Sequence, residues 1–108
     1  MGNSETRNFA KPMETVFTAA VKAVRDLGYK IDSLDKANGL INFKTGMSWK
    51  SWAGQEMSVL LLDEGGGTCS VDIAGKRSQT GVILQVADWG EKASIAKKVF
   101  EAMGKYIT

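Results

Sequence analysis

Residues 13–44 read METVFTAAVKAVRDLGYKIDSLDKANGLINFK, and the period of their apolar positions changes once, from helical to extended. Val16, Phe17, Ala20, Val21, Val24 and Leu27 fall at helical spacing and form one apolar stripe, with Thr15, Thr18, Lys22, Arg25 and Asp26 on the other side. Pro12 suits a first helical turn, where a missing N–H forfeits no hydrogen bond. Gly28 stands where a left-handed C-cap ends such a helix. Alternation follows: Tyr29, Ile31 and Ser33 face one way, Lys30 and Asp32 the other. Lys36-Ala37-Asn38-Gly39 then supplies a hairpin turn, since Asn-Gly accepts positive φ. From Leu40 to Thr45 the alternation resumes, Ile41 and Phe43 against Asn42 and Lys44. A one-striped helix leading into a one-sided hairpin predicts helix packed on sheet.

Working outward, Gly46 to Gly54 (GMSWKSWAG) breaks the alternation with glycines and serines and predicts a loop, one that carries Trp49 and Trp52. Gln55 to Leu62 reads as a third strand with Met57, Val59 and Leu61 on one face. Leu60 and Leu62 on the other face predict a partly covered outer surface. Asp63 to Gly67 turns the chain, and Thr68 to Ala74 forms a fourth strand with Cys69, Val71 and Ile73 inward. After a polar stretch, Val82 to Val86 reads as a short fifth strand or an extended connection. Asp88 with Glu91 resembles a capping box, and Ile95, Ala96, Val99, Phe100, Met103 and Ile107 stripe a final helix. Residues 1–8 are polar and predict a disordered tail ahead of a single domain over 9–108. The expected fold is α+β: a two-layer sandwich in the order α-β-β-β-β-(β)-α, with a curved antiparallel sheet and both helices on one face.

The counts narrow the chemistry. At 108 residues, 44% hydrophobic and net charge +2, the chain is one globular domain rather than two, or a disordered one. It has no histidine and one cysteine, which removes the commonest general base and metal ligand and any intrachain disulfide. No metal, no cofactor and no enzymatic activity are expected. Basic and acidic side chains alternate, as in Lys22, Arg25, Asp26 and Lys30, Asp32, so nucleic-acid binding is not expected either. No apolar run approaches the ~18 residues of a membrane span. The amino terminus lacks the basic and apolar regions of a secretory signal, which predicts a cytoplasmic protein.

Several motifs resolve to plain structure. The triple glycine Gly65–Gly67 precedes a strand rather than a helix, so it is read as a turn and not as a phosphate cradle. Cys69 alternates with Val71 and Ile73 and is read as a small buried apolar residue. The carboxylate pairs Asp63–Glu64 and Asp32–Asp35 fall in turns and on wet faces, where acidity stays ordinary. The most informative feature is Trp49 with Trp52, beside Lys50. One reading has both indoles folded back as a lid. The other makes them a contact site, because Trp is enriched where proteins meet. Lys44, Lys50, Lys76 and Arg77 supply a candidate basic rim. A different class of function, carriage of a small apolar ligand or lipid, would use a groove between the sheet and the last helix, lined by Met57, Leu61, Phe100 and Met103.

The pattern Phe17-x-x-Ala20-x-x-Ala23-Val24-x-x-Leu27-Gly28-Tyr29-x-Ile31, then Asp35-x-x-x-Gly39-x-Ile41, resembles small bacterial helix-grip domains, among them the repeats of BamC-type envelope lipoproteins. It covers residues 13–43, and the order of elements extends it to 107. This sequence differs in having no lipobox cysteine near its amino terminus and a single copy of the domain. The resemblance implies a non-catalytic accessory or binding domain. The expected function is therefore a binding or scaffolding module that contacts a protein partner through the Trp49–Trp52 loop and the open sheet face.

Overall fold

The computed structural model describes residues 4–45, 56–75 and 89–107, with side chains of the last stretch from Lys92 onward. The chain runs β1 (Ser4–Phe9), α1 (Met13–Asp26), β2 (Lys30–Asp35), β3 (Leu40–Lys44), β4 (Glu56–Gly65), β5 (Thr68–Gly75) and α2 (Trp89–Met103). Every strand pairing is antiparallel, and the order across the sheet is β1-β5-β4-β3-β2.

Residues directly opposite each other in such a ladder share a face. Ile41 and Phe43 of β3, Met57, Val59 and Leu61 of β4, and Cys69, Val71 and Ile73 of β5 line one face, none more than 1% exposed. They pack with Val16, Phe17, Ala20, Ala23 and Val24 of α1 and Ile95, Ala96, Val99, Phe100 and Met103 of α2 in a single core. The two helices also touch each other. Both therefore cover the same side of the sheet, as the apolar stripes predict.

Helix α1 ends where its glycine permits. Gly28 takes φ +79°, its N–H bonds to the Arg25 carbonyl at 3.0 Å, and the Tyr29 N–H reaches back to the Val24 carbonyl at 3.2 Å. That is a Schellman motif, and it aims the chain into β2. Pro12 sits one residue before the helix, as its N-cap, rather than inside the first turn. Among the described residues, no helix is long and apolar enough to cross a membrane.

Two expectations about the sheet are corrected. Residues 4–8 are not a disordered tail: they form most of β1, which pairs with β5 from Ser4↔Ala74 to Phe9↔Cys69. The added strand thus comes from the amino terminus. Val82–Val86 and Asp88 lie outside the described residues. The alternation through Tyr29, Ile31 and Ser33 also fails, because a bulge between Ile31 and Ser33 moves Ser33 opposite Asn42, on the outward face. Leu34 then falls opposite Ile41 on the helix side, where the edge position leaves it 47% exposed.

Candidate functional site

The outward face of the sheet is built from the positions that skip the core. Reading across the strands, Ser33, Asn42, Ser58, Ala74 and Ser4 form one row, and Asp35, Leu40, Leu60, Asp72 and Thr6 the next. Leu62, Ser70 and Asn8 form a third row towards the β4–β5 turn. A sheet covered on one side only should be polar here. Instead Leu40 and Leu60 stand opposite each other, partly buried, and Leu62 beside them is 51% exposed.

Part of this face is withdrawn from water and part is open. Ser58 and Ala74, a register pair, are fully withdrawn from water, and Ser70 is 8% exposed. Ser58 Oγ donates to the Gly75 carbonyl at 3.1 Å, so its burial leaves no orphan hydroxyl. In the same row Asn42 Nδ2 donates to Ser33 Oγ at 3.1 Å. In the next, Thr6 Oγ1 donates to Asp72 Oδ1 at 2.9 Å. Among the described residues of this face, the apolar surface that water reaches lies at the leucine end of β4.

Lys44, the one rim residue that is described, lies at the opposite end of the sheet. It faces outward between Lys30 of β2 and Glu56 of β4. Trp49, Lys50, Trp52, Lys76 and Arg77 lie outside the described residues. The stretches that carry them depart from neighbouring points, because Lys44 pairs with Glu56 and Met57 with Gly75. Sequence places these candidates apart; the register brings their points of departure together at one end of the sheet.

Met57, Leu61, Phe100 and Met103, proposed as a ligand groove, are each at most 2% exposed and belong to the packed core. Two hollows lined by described residues lie beside α1. One, of about 400 Å³, is lined by Glu14, Thr15, Thr18, Ala19, Lys22 and Tyr106. The other, of about 170 Å³, is lined by Met13, Glu14, Phe17 and Lys36. The Tyr106 hydroxyl donates to the Asp26 carboxylate, which holds the phenol above its ordinary pKa, and the Lys22 ammonium lies 5.5 Å from the centre of its ring. Lys36 and Glu14 form an exposed ion pair at 3.2 Å. Sequence could not show this side of the molecule, because Tyr106 and Asp26 meet only through the packing of the carboxy-terminal turn against α1.

The described titratable groups shape turns and core. Asp35 accepts from the Asn38 side-chain amide at 2.8 Å and from its backbone N–H at 3.2 Å, and these bonds hold its carboxyl below the usual range. Asp63 Oδ1 accepts from the Gly65 N–H at 2.9 Å and shapes the glycine turn. Burial, with the carboxylate of Asp63 nearby, pushes the Cys69 thiol up, away from the reactive thiolate. Among the described residues no three of His, Cys, Asp and Glu gather where they could hold a metal ion. No protein-family model matches this sequence, and no curated protein matches it significantly.

Proposed function

We propose that this chain is a small non-enzymatic binding module that meets a protein partner on the outward face of its sheet. The observation that carries the reading is the leucine group of β3 and β4, with Leu62 51% exposed on a face that a one-sided sheet would keep polar. By residue type, Trp49, Lys50 and Trp52, with Lys44, Lys76 and Arg77, are the further candidates for the contact. The helix-grip resemblance points the same way, to an accessory domain that binds rather than catalyses. The reading places the domain in the cytoplasm, a reducing compartment that suits one buried thiol.

The test is site-specific photo-crosslinking in host cells, with the reactive side chain at Leu62, at Trp49 or at Arg25 on the outer side of α1. The expected result is a discrete crosslinked protein from Leu62 and Trp49 and none from Arg25. It should vanish in Leu62→Lys with Leu60→Thr while the circular dichroism spectrum is kept. Equal crosslinking from all three positions, or none from Leu62, would remove the reading.

A further inference from the structure

The sheet has two outer strands, and they differ in how they are protected. β2 carries a bulge between Ile31 and Ser33, a common device against edge pairing. β1 has none: its register against β5 is unbroken from Ser4 to Phe9, and it contains neither proline nor glycine. Among the described residues nothing pairs with its other side, and Thr6, Arg7 and Asn8 are exposed.

The strand is also complementary to itself. When two copies run antiparallel about Thr6, Ser4 meets Asn8, Thr6 meets Thr6, and Glu5 meets Arg7 twice. The parity is right, since Glu5 and Arg7 stand opposite Ile73 and Val71 and so share the helix-bearing face. Opposed side chains in such a ladder stand ~4.5–5.5 Å apart at Cβ, within reach of an ion pair. Among the described residues of one copy neither charge meets an opposite charge. Glu5 Oε1 is out of reach of water and has no hydrogen-bond partner among the described residues. The Arg7 guanidinium lies 4.7 Å from the centre of the Phe100 ring of α2, which steadies it without neutralising it. Among the described residues, an acceptor lacking a donor and a cation lacking an acid thus sit two residues apart, on one face of an edge strand without a bulge.

We infer that β1 is a self-docking edge: a second copy of this chain pairs with it antiparallel, across a two-fold axis at Thr6, and each Glu5 receives the partner's Arg7. The two sheets become one continuous sheet, and the contact is isologous, so assembly stops at the dimer. This contact is independent of the leucine face and leaves it free.

Charge reversal on the full chain tests the pairing, read by sedimentation velocity and native mass spectrometry over a concentration series. The wild type should give a species of twice the 11.7 kDa chain mass. Glu5→Arg sets a second cation against the partner's Arg7, and Arg7→Glu a second acid against the partner's Glu5, each twice over. Each substitution should weaken dimerisation about tenfold or more. The double exchange Glu5→Arg with Arg7→Glu restores complementarity and should restore the dimer. An equimolar mixture of the two single variants should form a heterodimer that neither forms with itself. Circular dichroism checks that each variant is folded, and Leu62→Lys should leave the dimer intact. A wild type monomeric throughout the series, single variants that dimerise like it, or a mixture that stays monomeric would each overturn the inference.

Discussion

Gly39 shows how one residue ties the hairpin to the rest of the fold. It takes φ +68°, its carbonyl accepts from the Leu61 N–H at 2.7 Å, and a Cβ there would lie 2.5 Å from Met13 Cε and 2.6 Å from the Leu61 carbonyl oxygen. The Met13 methyl can swing away; the backbone oxygen of β4 cannot. Gly28 has a similar φ but nothing within 4 Å. Gly28→Ala should therefore cost only the left-handed penalty, about 1 kcal/mol. Gly39→Ala should cost about 3 kcal/mol, because overpacking adds to the same penalty. Urea unfolding of the two variants measures the difference, and equal losses would show that the turn is not clamped against β4. In the same turn Asp35 ionises more readily folded than unfolded, because Asn38 donates to it twice. Its contribution is complete above the ordinary carboxylate range and fades as pH falls through the lower folded value. Asn38→Ala should return the Asp35 pKa towards normal in an NMR titration and remove that part of the acid dependence.

Among the elements, both helices were legible because an apolar stripe at helical spacing is a local property of the chain. So were β3, β4 and β5, whose alternation sorts Ile41, Phe43, Met57, Val59, Leu61, Cys69, Val71 and Ile73 onto one face. β1 was not legible. Its residues SETRNF hold one apolar side chain, Phe9, and its identity as a strand comes from the free edge of β5 beside it. Phe9 packs against the core, its ring 6.3 Å from that of Phe100. Phe9→Ala should cost about 2 kcal/mol, less than the ~3–5 of a fully buried phenylalanine, and should speed amide exchange along β1. A substitution with no effect on stability would return residues 4–9 to the status of a tail. The bulge in β2 was missed for a related reason: Ile31-Asp32-Ser33 alternates in sequence, and only the pairing with β3 shows a residue out of step.

For the molecule as a whole, Cys69 is a reporter of opening. It is fully buried on the helix side of β5, flanked by Phe9 of β1 and Asp63 of β4, with its thiol pKa raised by that burial. A thiol reagent should label it only as fast as the sheet opens, so the labelling rate should rise with urea in step with unfolding. Rapid labelling of the folded protein would mean that β1 lifts from β5 on its own.

The candidate surface was half legible. Leu60 and Leu62 stand out in sequence because they occupy positions that a one-sided strand leaves polar, but their neighbour Leu40 joins them only through the register of β3 on β4. The sequence by itself determined the helices, the turns and which side chains turn inward, since periodicity and glycine conformations are set within a few residues. Only the tertiary structure decided that a polar segment becomes a strand, that Tyr106 reaches Asp26, and that Glu5 and Arg7 share one face of an edge strand. Those depend on backbone hydrogen bonds and packing between residues far apart in the chain, which no local pattern of side chains encodes.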